Sequence, residues 1–403
     1  MKLLANIPQD IKQYLIVTGN YWAFTLTDGA LRMLVVLYFH HLGYSPLSIA
    51  MLFLFYEIFG VVTNLIGGWL GARLGLNRTM NIGLALQVIA LLMLAVPSEW
   101  LSVVYVMAAQ ALSGIAKDLN KMSAKSSIKM LVAQGQEGTL FKWVAILTGS
   151  KNALKGVGFF LGGLLLTLLE FKGAVLLMAS ALALVWFYSL HALKSDLGKA
   201  KVKPKFTDLF SKSPAINTLS AARLFLFGAR DVWFVVALPV YLSQTFNWDH
   251  WWVGGFLALW VIGYGGVQSL APKVIKRSDR PIAPSEAANW AFALAAIPLL
   301  IAIALYANWF IQTSIVIGLF IFGVVFALNS SLHSFLIVNL ADADGVSLDV
   351  GFYYMANAMG RLIGTVLSGW VYQLYGLEAC LFISCAFIML AGAISLKLPK
   401  LQH

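Results

Sequence analysis

KSDLGKAKVKPKFTDLFSKSP, residues 194–214, is the stretch on which the fold turns. It holds six lysines, two prolines and no apolar run. On both sides of it the chain returns to long apolar segments. A spanning helix needs about 20 apolar residues, and each side has room for six. The segments run approximately over 14–42, 47–71, 79–96, 100–121, 139–168 and 173–193 before the polar stretch. After it they run over 215–243, 250–272, 284–306, 309–337, 350–374 and 378–396. The pattern predicts an all-α membrane protein with an N-terminal six-helix bundle (1–193), a flexible cytoplasmic linker (194–214) and a C-terminal six-helix bundle (215–403).

Composition agrees. Of 403 residues, 60% are hydrophobic and 11% charged, whereas a soluble domain carries about 25% charged residues. The net charge of +11 would suit a nucleic-acid binder, but its placement argues otherwise. Of 28 lysines and arginines, 21 fall at or beyond one set of helix ends. Lys172 alone falls on the other side, and six lie within the helices. That is the positive-inside asymmetry. It puts both termini and the linker in the cytoplasm of a multi-pass protein, expected in a bacterial inner (plasma) membrane. The basic excess then reads as topology and contact with anionic lipid, and no nucleic-acid partner is expected. The outer loops GYSP (43–46) and PSEW (97–100) carry no lysine or arginine. The inner loop NLADADGVSLDV (339–350) is acidic and departs from the rule. Cys380 and Cys385 lie on different faces of the last helix and imply no disulfide framework. MKLLANIPQDIK (1–12) lacks the apolar core and cleavage site of a removable signal, so the first helix is expected to be retained.

The halves echo each other. NALKGVGFFLGGLLL (152–166) and NAMGRLIGTVLSGWVY (357–372) align at an offset of 206, pairing Lys155 with Arg361, Gly158 with Gly364 and Gly163 with Gly369. Asp28 and Arg32 in the first helix have Arg230 and Asp231 as counterparts in the seventh. Two parallel six-helix repeats about an axis along the membrane normal describe the major facilitator architecture.

The six basic residues within the helices are Arg32, Lys151, Lys155, Arg223, Arg230 and Arg361, and only Asp28, Glu57 and Asp231 lie at comparable depth. A charge at the bilayer centre costs about 2.5–3.5 kcal/mol, so these groups face each other or a wet cavity. A cavity with surplus positive charge suits an anion. Lys151 and Lys155 stand at i, i+4 with Asn152 between them. No acid in their helix can pair with them, although Glu57 offers a partner across the bundle. Arg361 with Asn357 is the counterpart set, with Tyr353 and Tyr354 one turn nearer the inner end. Arginine grips oxyanions bidentately, while lysine gives a point charge. One anion held from both halves would close the cavity around itself. The expected substrate-binding set is Arg32, Lys151, Lys155, Arg230 and Arg361, with Asn152, Asn357, Tyr353 and Tyr354.

Other groups keep two readings each. Asp28 and Arg32 share a face, either as an internal ion pair or as a carboxylate that poises the arginine or carries a coupling proton. Arg223 shares a face with Arg230 and has the plainer role of snorkelling to the interface. Asp231 takes a different position on the wheel from Arg230. In AKDLNKMSAKSSIKM (116–130), Lys117, Lys121, Lys125 and Lys129 recur every four residues. They form a solvated inner face or a cytoplasmic funnel for anions, with Ser123, Ser126 and Ser127 as extra donors. His333, among Asn329, Ser330, Ser331 and Ser334, either titrates near neutral pH or packs with hydrogen bonds. Asp28, Glu57, Asp231 and His333 are the candidate coupling groups. The six histidines and two cysteines show no metal-ligand spacing. No phosphate-binding glycine loop and no nucleophile–base set occurs. No cofactor, metal or enzyme activity is expected.

GGWLGARLGLNRT (67–79) resembles the loop signature of the major facilitator superfamily, G-x-L-x-D-R-x-G-R, through Gly68, Leu70, Arg73 and Gly75, with Arg78 slightly late and Ala72 where the aspartate usually stands. YWAFTLTDGALRMLVVLYFHHLGYSPL (21–47), LFYEIFGVVTNLIGGWLGARLGLN (54–77) and SGIAKDLNKMSAKSSIK (113–129) resemble the organoarsenical efflux permeases, the ArsJ-type branch. That resemblance implies export of 1-arseno-3-phosphoglycerate and a functional link to a glyceraldehyde-3-phosphate dehydrogenase that makes this ester from arsenate. It implies efflux that confers arsenate resistance by alternating access, in a protein expected to be monomeric. The cationic set agrees with such a cargo but does not distinguish arsenate from phosphate. An organic phosphate/phosphate antiporter predicts the same cavity, and a proton-coupled multidrug exporter predicts an acidic one.

Overall fold

The computed structural model describes residues 9–44, 52–132, 136–193, 197–200, 205, 207, 213–248, 250–275 and 285–398. Most of the linker, half of GYSP, the first eight residues and the side chain of His40 lie outside them. The described residues form helices: α1 (Gln9–His41), α2 (Leu54–Leu74), α3 (Leu76–Leu94), α4 (Val103–Leu131), α5 (Glu137–Ala192), α6 (Pro214–Phe234), α7 (Ala237–Phe246), α8 (His250–Ile275), α9 (Ser285–Tyr306), α10 (Ile311–Leu340) and α11 (Val346–Ser395). No strand occurs among them.

The twelve predicted segments map onto these helices in three ways. Most correspond one to one. Two predicted pairs run together, α5 breaking at Glu170 (φ 56°, ψ −179°) and α11 at Gly376 (φ 80°, ψ −176°). Both breaks fall in the short turns predicted between segments. Glu170 adopts this left-handed conformation with a side chain that disfavours it. The seventh segment is divided into α6 and α7 around Val235 and Val236. Among the described residues, nine helical spans are long and apolar enough to cross a membrane. Dividing α5 and α11 at their breaks and adding α4, which misses the criterion because of its charges, restores twelve.

Two compact units emerge. The first takes in α1–α4, most of α5 and Ala341–Met355. The second takes in Val144–Gly149, α6–α10 and α11 from Ala356 onward. In the first unit, α1 crosses α5 at glycines. A Cβ on Gly158 would stand 2.8 Å from the Leu26 carbonyl oxygen. Trp22 Nε1 donates to Ser150 Oγ at 2.8 Å, Asn20 donates to Ser189 Oγ at 2.8 Å, and Tyr38 stacks on Phe171 at 4.2 Å. The second unit repeats the crossing with α6 and α11: a Cβ on Gly364 would stand 2.7 Å from the Gly228 oxygen. Its core is aromatic, with Trp233, Trp260, Phe322 and Phe326 in edge and stacked contacts.

The loops have local causes. Leu197 O accepts from Leu76 N–H and Ala200 N–H donates to Ala72 O, so the described part of the linker pairs with the α2–α3 turn. The acidic loop is also explained. Asp349 accepts from the Asp342 N–H at 3.1 Å, and Lys129 donates to Ala341 O, with Asp342 and Asp349 close enough to act on its charge. Its carboxylates are matched to a lysine of their own unit, which offsets their departure from the charge rule.

Candidate functional site

In the first unit a chain of charged and aromatic groups runs from Glu57 to Lys125. Arg32 Nη2 bonds Glu57 Oε1 at 3.1 Å, and its guanidinium lies over the rings of Phe53 (5.1 Å) and Tyr56 (5.0 Å). Tyr56 donates to Asp28 Oδ1 at 2.7 Å. Lys117 Nζ also lies over the Tyr56 ring, at 3.8 Å. Asp118, buried to 1% exposure, takes Lys121 at 2.6 Å and Lys117 at 3.9 Å. Lys121 and Lys125 lie over the Tyr354 ring at 4.6 and 5.6 Å, and Tyr353 meets Tyr354 edge-on at 5.0 Å.

Several expectations change here. Asp28 and Arg32 each have a partner on α2: Tyr56 donates to Asp28 and Glu57 bonds Arg32. Glu57 thus has an arginine of α1 as a partner. The stripe of Lys117, Lys121 and Lys125 is not a solvated face, since Lys125 is 3% exposed and the other two are screened by Asp118. Asp118 stands three residues before Lys121, a spacing that makes helical neighbours and is the sequence signal for this partner. Lys151 donates to Asn152 Oδ1 at 3.1 Å, and both are half-buried with Lys155.

In the second unit Asp231 is fully buried and holds two arginines. Arg230 reaches Oδ1 at 2.5–2.6 Å, and Arg361 Nε donates to Oδ2 at 3.1 Å. The wheel position given to Asp231 is thus overruled by the reach of the Arg230 side chain, which folds back onto its neighbour. Two turns away along α6, Arg223 does not snorkel. It is 3% exposed, donating from Nε to Asn357 Oδ1 at 2.8 Å and from Nη1 to Ser330 O and Oγ at 3.2 Å. Asn357 therefore serves Arg223 rather than Arg361. Phe227 lies against both arginines, 3.8 Å from Arg223 and 4.9 Å from Arg230.

Ser330, which the sequence marks as a neighbour of His333, is the hub of a polar group whose other members, Tyr264 and Gln268, sequence reasoning missed. Tyr264 OH donates to its Oγ at 3.0 Å, and Gln268 Nε2 bonds the Tyr264 hydroxyl at 2.8 Å. Beside it on α10, Asn329, His333 and Ser334 are fully buried, and their side-chain polar atoms have no hydrogen-bond partner among the described residues. The packing role expected for His333 is thus not met by hydrogen bonds. An unsatisfied buried polar group costs about 1–3 kcal/mol, so a set of three calls for an explanation.

These features define a polytopic helical membrane protein whose two units each enclose a cation-rich network. The sequence matches the family model for the Major Facilitator Superfamily over residues 17–348, and the chain belongs to that family of membrane transporters. Its fold is similar to that of the human organic anion transporter MFSD10 (TM-score 0.76, 17% identity, covering 96% of this chain and 100% of that one). It is also similar to a bacterial homologue of the iron transporter ferroportin in an outward-facing state with soaked iron (TM-score 0.73, 15% identity, 97% and 99% covered). A third likeness is the E. coli fucose:proton symporter (TM-score 0.76, 12% identity, 98% and 100% covered). No curated protein matches the sequence significantly.

Proposed function

We propose that this transporter exports a multivalent organic anion, and that the anion is 1-arseno-3-phosphoglycerate. The observation that carries the anionic cargo is a charge count. The networks of the two units, together with Lys151 and Lys155 of α5, hold nine cationic side chains (Arg32, Lys117, Lys121, Lys125, Lys151, Lys155, Arg223, Arg230 and Arg361) against four carboxylates (Asp28, Glu57, Asp118 and Asp231). Intramembrane charge is costly, and it is kept where it serves a pathway. MFSD10, which shares the fold, is an organic anion transporter, and such a cargo is compatible with this reading. The arsenical identity rests on the ArsJ-type resemblance.

In this reading Lys151, Lys155, Arg230 and Arg361 meet the phosphate and arsenate groups, and Lys117, Lys121 and Lys125 draw the anion from the cytoplasm. Asp28, whose hydrogen bond comes from the neutral Tyr56 hydroxyl, carries the coupling proton. The protein sits in a bacterial inner membrane with both termini inside, and its partner in metabolism is a glyceraldehyde-3-phosphate dehydrogenase.

The test is arsenate resistance. Cells made sensitive to arsenate receive the transporter, the dehydrogenase, or both. Resistance that requires both genes is expected. Resistance from the transporter alone, or with an unrelated enzyme, contradicts the assignment. Uptake of phosphate esters against trapped inorganic phosphate would instead identify an organic phosphate/phosphate antiporter.

A further inference from the structure

We propose that Arg223, Asn329, His333 and Ser334 form a second anion subsite inside the C-terminal unit, one that takes the hydroxylated oxyanion end of the cargo. The proposal rests on the anionic-cargo reading above and assigns part of that cargo to residues which the reading did not use.

The argument begins with register. Arg223 stands nine residues from the start of α6, and His333 seven residues from the end of α10. At 1.5 Å per residue both lie roughly 10–14 Å from their helix ends. Gln268, seven residues before the end of α8, shares the level. Ser330 confirms it by direct contact, since it bonds to Arg223, Tyr264 and Gln268. On α10, Asn329 and His333 form one i, i+4 ridge, and Ser330 and Ser334 form the adjoining one. Three of these four residues are fully buried with side-chain atoms that no group among the described residues satisfies.

The chemistry of the three selects the ligand class. Asn329 Nδ2, one His333 ring N–H and the Ser334 hydroxyl are donors suited to oxyanion oxygens. Asn329 Oδ1 and the other His333 nitrogen are acceptors, which fits a ligand bearing a hydroxyl as well. The Arg223 guanidinium supplies charge from the same level. A purely apolar ligand would leave every one of these atoms unsatisfied, and a metal ion would meet an arginine. Along α6, Arg223 and Arg230 are spaced seven residues apart with Phe227 against both. This spacing makes a two-level ladder of about 10 Å, comparable to the length of an anion charged at both ends.

The experiment uses full-length protein with Cys380→Ser and Cys385→Ser, and 3-phosphoglycerate as probe, because it keeps a phosphate, a hydroxyl and a terminal oxyanion. Binding is read from ligand-dependent thermal stabilisation in detergent. Asn329→Leu and His333→Leu remove the polar atoms with little loss of volume. Each is expected to weaken 3-phosphoglycerate binding about tenfold, the worth of a hydrogen bond or two. In a second arm, Ser334→Cys is labelled by a thiol reagent, and the probe, but not glycerol, is expected to slow labelling. If both leucine variants bind the probe like the parent, or Ser334→Cys labelling ignores it, the group is water-filled structure and the subsite is overturned while the transport reading stands. If the parent itself shows no stabilisation by 3-phosphoglycerate, both fall together.

Discussion

Tyr56 touches three charged groups at once: its hydroxyl bonds Asp28, and its ring lies against Arg32 and Lys117. The two kinds of contact separate by substitution. Tyr56→Phe keeps the ring and loses a hydrogen bond to a carboxylate, worth about 1.5–3 kcal/mol. Tyr56→Leu loses the ring contacts as well, at about 0.5–2 kcal/mol more. Thermal unfolding in detergent is expected to rank parent above Tyr56→Phe above Tyr56→Leu, and equal melting of the two variants would show that the ring contributes nothing. Asp118 gives a sharper case, because two lysines depend on it. Asp118→Asn strands buried charge and is expected to destabilise the protein by about 3–5 kcal/mol. Adding Lys121→Met removes one stranded ammonium and is expected to restore part of the loss; a double variant less stable than the single one would refute that account. The cations of both networks were legible in the sequence, since any basic residue in an apolar segment stands out. Their partners were less so. Asp118 was hidden by its lysines, and Tyr264 and Gln268 are ordinary residues for a helix. Only the packing of α6, α8 and α10 gathers Tyr264 and Gln268 around Ser330, which in turn accepts from a buried arginine.

The helices themselves could be read because an apolar run of spanning length leaves few alternatives. The positions of the breaks at Glu170 and Gly376 were legible as turns; what could not be read was that helix resumes directly on either side of them, which lies in backbone angles rather than composition. α4 shows the opposite effect: its spanning segment stops at 121, but the lysine repeat over 116–130 reads as the same helix carried onward, and the helix does reach Leu131, with Asp118 and Tyr354 taking up its lysines. The internal repeat proves most informative at the level of helix crossings. The offset that pairs Gly158 with Gly364 pairs two crowded positions, each facing the first helix of its own unit. The same offset pairs Gly163 with Gly369, and both are open: a Cβ on Gly163 meets only Leu37, at 3.7 Å, and one on Gly369 meets nothing within 4 Å. Gly158→Ala and Gly364→Ala must push backbones apart, costing about 1–3 kcal/mol each. Gly163→Ala and Gly369→Ala are expected to be neutral or slightly stabilising, as alanine is the better helix former. Melting temperatures of the four single variants check this, and a destabilising Gly369→Ala paired with a harmless Gly364→Ala would break the correspondence between the repeats.

At the scale of the whole molecule, the proposed function makes a statement about energy sources that no single residue makes. Moving one net charge across 100 mV is worth about 2.3 kcal/mol, or roughly fiftyfold in the distribution of the cargo. A multivalent anion leaving a negative interior gains that amount for each charge it carries. A proton entering in exchange moves positive charge inward, so the two contributions add rather than cancel. Export of 3-phosphoglycerate from proteoliposomes is therefore expected to rise steeply when the loaded interior is made negative, whether or not a proton takes part. A pH gradient separates the two components. With Asp28 as the proton carrier, the parent is expected to respond to both potential and pH gradient, and Asp28→Asn to potential alone. The Tyr56 hydroxyl can still donate to the amide oxygen in that variant, so the local packing is kept while the proton site is lost. Flux indifferent to potential would remove the anionic cargo from consideration. An Asp28→Asn variant that still follows the pH gradient would move the coupling to Glu57, Asp231 or His333, and would leave the carboxylate beside Tyr56 with a purely structural task.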